Sequence, residues 1–176
     1  MTRCPLSTFL DEGRITQRIA QLADELLPRL RSDPIIIGVM KGGFMFTADL
    51  VRALSRLGVA PRIDFMTVAS YGTATASSET VNILLDHDVD VHDQQVLLVD
   101  DIIDSGHTFH ALQRHLINKG VAELISIVLL DKPSRRQVPV ALDAVGFEVP
   151  DLFFVGYGMD HAGIHRELPC IAWIPS

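Results

Sequence analysis

One segment of the 176-residue sequence combines residue types that could bind a sugar phosphate. In "VLLVDDIIDSGHTF", which runs from Val96 to Phe109, four apolar residues lead into Asp100 and Asp101. Acidic side chains after a strand can hold ribose hydroxyls or a hydrated magnesium ion. The next stretch, "DSGHT", opens a predicted helix, so its backbone N–H groups and hydroxyls could bind a phosphate. Acid pairs and Ser-Gly turns are each common in solvated turns, and only the whole pattern is specific.

Alternating strands and helices predict how this segment is positioned. Short apolar runs predict strands at 35–39, 62–68, 81–85, 96–99, 124–130 and 153–155, and helical spacing predicts helices at 13–31, at 44–57 and from the "DSGHT" turn to residue 119. This alternation indicates an α/β fold with a mainly parallel twisted sheet flanked by helices. Ligands of such sheets bind beyond the carboxyl ends of the strands. Five loops are therefore predicted to converge on one site, those after Val39, Val68, Val99, Leu130 and Val155.

Composition limits the classes of partner. The chain has 15 Lys and Arg against 22 Asp and Glu, a net charge of -7, which argues against a nucleic-acid surface. No apolar run approaches the length of a membrane span or a signal peptide, so no membrane partner is expected. Cys4 and Cys170 lack the spacing of a zinc site and are predicted to be reduced thiols in a cytoplasmic protein.

Several familiar motifs are absent or incomplete. The sequence has no G-x-x-x-x-G-K-[ST] loop and no G-x-G-x-x-G after a strand. The acidic run from Asp86 to Asp90 lacks the glycine and the final glutamate of an EF-hand, so it is interpreted as a solvated connection. His161 and His165 are four residues apart, but Gly163 between them favours a polar loop over a helical metal site. The polar stretch from Ala69 to Thr80 is predicted to be a long mobile loop.

The "DDIIDSGHT" segment resembles the phosphoribosyl-diphosphate signature of the type I phosphoribosyltransferases. Four further stretches, "GVMKGGFMFTADL", "ASYG", "LLDKPSRR" and "PDLFFVGYGMDHAGIHRELPCIAWI", narrow the resemblance to the hypoxanthine-guanine phosphoribosyltransferases. The resemblance covers nearly the whole chain in the right order. It implies a single domain over residues 1–176, with a hood formed by the N-terminal segment and about residues 140–176.

The same resemblance implies a reaction and a magnesium cofactor. In that family a 6-oxopurine, hypoxanthine or guanine, reacts with phosphoribosyl diphosphate to give IMP or GMP and pyrophosphate in purine salvage. Asp104 matches the general acid/base that faces purine N7. Asp100 and Asp101 match the acids that contact the ribose hydroxyls and the magnesium shell. The residues that match the 5-phosphate loop are Asp104, Ser105, Gly106, His107 and Thr108, with His107 assigned a backbone contact only.

The remaining roles also follow from the resemblance. The residues matched to pyrophosphate binding are Lys41 and Gly42 of the first loop, after the strand at 35–39, Ser70 and Tyr71 of the second, mobile loop, and Arg166. Relatives often have an unusual cis peptide bond in the first loop. Purine binding falls to Lys132 at the 6-oxo group, to the stacking ring of Phe153 and to the backbone carbonyl of Phe154, and Asp160 matches a second magnesium ligand. A homodimer or homotetramer is implied as well.

Two alternatives stay open at the level of the sequence. One is a regulator on the same fold that binds phosphoribosyl diphosphate as a signal and recognises RNA or DNA. Such a protein would need a basic face, and it would have no need for Asp104, Lys132 and Phe153 together. The other is an enzyme of the same fold that prefers another base, such as xanthine.

Overall fold

The computed structural model describes residues 6–70 and 81–175. Three helices span Glu12–Leu26 (α1), Phe44–Arg56 (α2) and His107–Asn118 (α3). Nine strands span Ser7–Leu10 (β1), Ile35–Met40 (β2), Arg62–Ser70 (β3), Val81–Leu85 (β4), Gln95–Ile103 (β5), Glu123–Asp131 (β6), Ala144–Glu148 (β7), Phe154–Val155 (β8) and Ile171–Trp173 (β9). Short 3-10 turns follow α1 at Leu27–Arg29 and β6 at Pro133–Arg135.

Six strands form the main sheet, in the order β4-β3-β2-β5-β6-β7. All neighbours in this sheet are parallel except β3 and β4, which are antiparallel. The prediction of an α/β fold with a mainly parallel sheet is therefore confirmed. Strand β7 was not predicted, because "AVGFE" is short and contains a glycine, which weakens the β pattern.

A second sheet of three antiparallel strands, in the order β1-β9-β8, joins the two ends of the described chain. Val155 lies in this small sheet, so the prediction that its loop leaves the main sheet is wrong. Phe153 precedes β8 rather than belonging to it. Strand β7 lies in the main sheet, so the small sheet draws only on Ser7–Leu10 and on residues from Phe154 onward. We propose that this sheet forms most of the hood of a single domain.

Apolar side chains cover both faces of the main sheet. Successive strand residues point to opposite faces, so Ile36 packs with α1 and α2 while Ile35 and Ile37 pack with α3. In β5 the same alternation divides Leu97 from Leu98. The two cores fix the central strands tightly, and the carboxyl ends of those strands carry the candidate site.

Several element boundaries differ from the prediction. Helix α1 ends at Leu26, because Pro28 cannot continue the helical hydrogen bonds and enters a 3-10 turn instead. Strand β5 continues past Val99 to Ile103, so Asp100 and Asp101 lie in the strand and not in a loop after it. Ala69 and Ser70 end β3, whereas residues 71–80 of the predicted mobile loop lie outside the described residues.

No helix within residues 6–70 and 81–175 is both long enough and apolar enough to span a bilayer. Cys170 is a half-buried free thiol, and Cys4 lies outside the described ranges. The cytoplasmic location stays a prediction.

Helix α1 offers a simple test of the link between sequence and stability. The Asp11 carboxylate caps the helix by accepting the Arg14 backbone N–H at 2.8 Å. We expect Asp11→Ala to lower the free energy of unfolding by about 1 kcal/mol, measured as a shift of the urea midpoint at constant slope. Asp24→Ala, an exposed change inside the same helix, is the control and should cost nothing measurable. Equal losses in the two variants would show that the cap contributes nothing.

Candidate active site

A cleft of about 340 Å³ opens at the carboxyl ends of β5 and β6 and reaches the small sheet. It brings together residues that are far apart in the chain. Its lining consists of Gly42, Asp101, Ile102, Asp104, Lys132, Phe153, Phe154, Met159, Asp160 and Arg166. Eight of these ten were singled out from the sequence, and only Ile102 and Met159 were not.

The two acids in β5 are both buried. Burial, together with the neighbouring Asp101 charge, raises the pKa of Asp100 well above its usual range. Burial also raises the pKa of Asp101, although hydrogen bonds and the charge of Arg166 act against it. The Asp101 carboxylate accepts the Ile102 backbone N–H at 2.9 Å, which fixes its orientation. A bound cation would remove the cost of two adjacent buried carboxylates.

The turn after β2 lies directly against Asp101. The Met40–Lys41 peptide bond is cis, one bond before the Lys41-Gly42 pair that the resemblance singles out. A Cβ atom on Gly42 would lie 1.9 Å from Asp101 Oδ2, and a Cβ on Gly158 would lie 2.1 Å from the Gly42 carbonyl oxygen. Both positions therefore require glycine, and the Lys41 side chain is exposed outside the cleft lining.

The "DSGHT" turn connects β5 to α3. Gly106 is the N-cap of α3 with φ +92, a left-handed conformation that glycine adopts without strain. Helix α3 begins at His107, and the backbone N–H groups at the start of a helix point out of its end, which is a favourable place for an anion. Ser105, His107 and Thr108 are half-buried around this turn. The geometry suits a phosphate group beside the cleft.

Lys132 and Asp104 lie next to each other in the cleft lining. The Lys132 side chain is nearly buried, and its Nζ lies 3.5 Å from Asp104 Oδ2 and 4.0 Å from Asp151 Oδ1. Arg135 lies on the solvent side of the same acids, with Nε at 3.1 Å from Asp104 Oδ1 and 3.7 Å from Asp151 Oδ1. This arrangement holds an ionic donor and a carboxylate acceptor close together at one end of the cleft.

The two adjacent phenylalanines have different environments. Phe153 is 53% exposed and its ring meets the His161 ring edge-on, at 5.4 Å between centroids. Phe154 is buried and its ring contacts the tilted ring of Phe9 in β1, at 5.0 Å between centroids. Lys132 Nζ lies over the Phe154 ring, 5.7 Å from its centroid. An exposed ring at the mouth of a cleft can stack on a planar ligand, whereas the Phe154 ring stabilises the small sheet and positions Lys132.

Asp160 and Arg166 form an ion pair at the other end of the cleft, with 2.5 Å between Arg166 Nη2 and Asp160 Oδ1. Arg166 Nη1 also donates to the Gly158 carbonyl at 2.6 Å, and Asp160 Oδ2 accepts the Gly163 N–H at 2.7 Å. The three predicted metal ligands, Asp100, Asp101 and Asp160, do not form a three-ligand group in the described residues. The buried β5 pair has the carboxylate chemistry that magnesium prefers, and Asp160 is held by Arg166.

Two residues of the predicted second loop fall at the limit of the description. Ser70 is the last residue of β3, where its backbone pairs with Val81. Tyr71 lies outside the described residues. Their predicted contact with pyrophosphate stays a prediction.

The sequence interpretation missed a set of hydrogen bonds that braces the "DSGHT" turn. Arg136 donates to the Asp104 carbonyl at 3.0 Å and pairs with Asp131, while the Gln137 N–H donates to the Ser105 carbonyl at 2.9 Å. The signal was present in "KPSRRQ", whose two arginines follow directly after Lys132. Arginines next to a turn lysine are typical of a solvated surface, so the sequence alone did not indicate these contacts.

Comparisons with known proteins agree with this geometry. The family model described as "Phosphoribosyl transferase domain" matches residues 6–162. Hypoxanthine phosphoribosyltransferase of Escherichia coli (strain K12) is 41% identical over 94% of this chain and 93% of its own length. Hypoxanthine-guanine phosphoribosyltransferase of Aquifex aeolicus is 43% identical over 93% and 92%, respectively.

A solved structure agrees as well. The crystal structure of a hypoxanthine-guanine phosphoribosyltransferase from Bacillus anthracis, with HEPES in its active site, matches with a TM-score of 0.90 and 38% identity. The match covers 96% of this chain and 98% of that one. The chain therefore belongs to the phosphoribosyltransferase family, in the group of the hypoxanthine-guanine phosphoribosyltransferases.

Proposed function

We propose that this chain is a purine salvage enzyme that transfers the 5-phosphoribosyl group from phosphoribosyl diphosphate to hypoxanthine or guanine. The products are IMP or GMP and pyrophosphate. The observation that carries the proposal is the shared cleft. One end offers Lys132, Asp104 and the exposed Phe153 ring, which suit a planar base, and the other offers Gly42, Asp101 and Arg166, which suit a diphosphate.

The base end of the cleft accounts for the choice of purine. The Lys132 ammonium can only donate hydrogen bonds, so it favours a 6-oxo group over the 6-amino group of adenine. The near-complete burial of Lys132 restricts where its ammonium can point, so the donor is held at this end of the cleft. Phe153 would stack on the base, and the Phe154 backbone carbonyl would face the exocyclic 2-position. Asp104 would take the N7 proton that the purine loses as its bond to the ribose forms.

The other end would receive the leaving group. Backbone N–H groups around Gly42 and the guanidinium of Arg166 would bind pyrophosphate, for which a planar guanidinium fork is well suited. The turn from Ser105 to Thr108 would hold the 5-phosphate at the start of α3. Asp100 and Asp101 would hold magnesium and the ribose hydroxyls. Magnesium, when bound, neutralises charge on the diphosphate as it departs.

A spectrophotometric assay with four bases tests the proposal directly. Hypoxanthine, guanine, xanthine and adenine are each supplied with phosphoribosyl diphosphate and magnesium. We expect turnover of hypoxanthine or guanine and very little of adenine. A clear preference for xanthine would favour the second enzyme candidate, and no turnover of any base would favour the regulator.

Removing the Lys132 ammonium should change base selectivity more than stability. We expect Lys132→Ala to lower kcat/KM for hypoxanthine by about 10- to 100-fold, the value of one charged hydrogen bond, with little change for adenine. Arg135→Ala is the matched control, because Arg135 pairs with the same two acids but is exposed. An unchanged hypoxanthine-to-adenine ratio in Lys132→Ala would contradict the 6-oxo contact.

We further propose that the enzyme forms a homodimer or homotetramer. Support comes from large apolar side chains left exposed on the two strands at one edge of the main sheet, namely Ile63 of β3 with Leu84 and Leu85 of β4. Light scattering after size exclusion measures the molar mass. A monomer at assay concentration would contradict this part of the proposal.

A further inference from the structure

A cluster of ligand-type side chains lies outside the cleft lining, near one edge of the main sheet. It is formed by Asp86, His87, His115 and Lys119, where β4 ends beside the last turns of α3. None of these residues lines the cleft. Within the described residues, Asp86, His87 and His115 form the one group of three whose ligand atoms all lie within 4.8 Å of one another. We propose that these three residues form a binding site for a divalent transition metal of the zinc class.

The buried histidine is already oriented as a ligand. His87 is 8% exposed, and its Nδ1 lies 2.9 Å from the Val89 carbonyl oxygen. A carbonyl can only accept, so Nδ1 carries a proton, and in the neutral ring Nε2 then carries the lone pair. Metal-binding histidines usually have their second nitrogen fixed by such a bond to a carbonyl or carboxylate. The His87 Nε2 lone pair points into the cluster, at 3.6 Å from Asp86 Oδ1.

The other two ligands are more accessible. Asp86 Oδ2 lies 3.0 Å from His115 Nε2, and both side chains are about one-third exposed. Burial alone would raise the pKa of Asp86, but hydrogen bonds from Lys119, the His87 N–H and His115 lower it below its ordinary value. The carboxylate is therefore charged at neutral pH. A metal would approach from this open side, and His115 would move its ring proton from Nε2 to Nδ1.

A cation already sits among these groups. Lys119 Nζ lies 2.7 Å from Asp86 Oδ2 and 3.0 Å from His87 Nε2, so its ammonium marks the point at which a carboxylate and an imidazole lone pair converge. Lys119 caps the end of α3 one turn after His115, and about one-third of its side chain is exposed. Its ammonium can therefore move into solvent when a dication takes its place.

The donor atoms of these three side chains determine which metal the site prefers. Two imidazole nitrogens and one carboxylate oxygen, with a water as the fourth ligand, suit tetrahedral zinc, whereas magnesium prefers oxygen ligands only. A metal bound to this cluster would link the end of β4 to α3, the helix that begins at the "DSGHT" turn. Binding to the folded state alone would also raise the thermal midpoint of unfolding.

Calorimetric titration of the full chain with Zn²⁺, without magnesium or substrate, tests the proposal. Co²⁺ absorption reports the coordination geometry. We expect one tetrahedral site in the unmodified protein, a loss of affinity greater than about 100-fold in His87→Ala, and tighter binding in Lys119→Met, which lacks the competing ammonium. His92→Ala removes an exposed histidine outside the cluster and serves as the control.

The outcomes separate this site from the acids of the cleft. Zinc binding that persists in His87→Ala would place the metal on carboxylates elsewhere and would overturn the proposal. Zinc binding that appears only in Lys119→Met would also overturn it, because the natural chain would then keep its ammonium in place. Thermal midpoints without zinc verify that each variant folds. The titration needs no substrate, so its result is independent of the proposed transferase activity.

Discussion

Asp104→Asn is expected to lower kcat by about 10²- to 10⁴-fold, the usual contribution of a positioned general base. The amide keeps the shape of the side chain but cannot accept the N7 proton. Asp104 is well placed for this role, because it lines the end of the cleft in which the base would lie. Its Oδ2 is 3.5 Å from Nζ of Lys132, which lines the same end. Steady-state and single-turnover rates with hypoxanthine measure the effect, and direct titration should find binding of phosphoribosyl diphosphate largely intact.

Asp151→Asn is the matched control for this change. Asp151 contacts the same two cations, at 4.0 Å from Lys132 Nζ and 3.7 Å from Arg135 Nε, but it does not line the cleft. If Asp104 acted only by neutralising those cations, the two variants would lose similar activity. We expect Asp151→Asn to stay within a few-fold of the unmodified enzyme. Near-normal turnover in Asp104→Asn would remove the assignment of general base.

Gly42→Ala is expected to lower kcat/KM for phosphoribosyl diphosphate by about 100-fold or more, because misplacing reacting groups by one ångström can have that effect. The new Cβ would lie 1.9 Å from Asp101 Oδ2 and 2.5 Å from Asp101 Cγ. The carboxylate is buried and is held by the Ile102 N–H, so it cannot simply swing aside. Either the turn after β2 or the acid pair must shift, and both are proposed to contact the substrate.

Gly13→Ala controls for the general effect of adding a methyl group. Gly13 lies in the first turn of α1, and its Cβ would approach only Asp11 Oδ1, at 3.3 Å. We expect full activity and a small gain in stability, since alanine favours helices over glycine. Activity of Gly42→Ala within three-fold of the unmodified enzyme would mean that the contact with Asp101 has no part in substrate binding.

The sequence alone predicted most of the fold and much of the site. Every strand of the main sheet except β7 was located from its apolar run. The pattern is strongest in β2, β5 and β6, because a buried parallel strand needs continuous apolar residues. The "DSGHT" turn and the helix start after it were located because small and hydroxyl-bearing residues favour a turn that opens a helix. The family resemblance then supplied roles that no local pattern carries, such as those of Lys132 and Phe153.

Two strands of the small sheet, β1 and β9, escaped prediction for a physical reason. They have four and three residues, too few for a periodic pattern, and they exist because distant segments pair with one another. The apolar run at 153–155 did predict β8, which begins one residue later. The same limit applies to side chains that meet across the fold. The contacts of Arg135 and Arg136 with Asp104 form only because the turn after β6 folds against the "DSGHT" turn.

The sequence by itself therefore determined the class of fold, the positions of the central strands along the chain and the residue types that could do the chemistry. Only the tertiary structure decided that Asp100 and Asp101 are buried within β5, that Gly42 must be a glycine because of Asp101, and that Asp160 pairs with Arg166. It also showed that the acidic run from Asp86 to Asp90, interpreted as a solvated connection, contains the buried His87, which contacts Lys119. Local patterns report burial and periodicity along the chain, whereas distances between segments depend on how the packed layers meet.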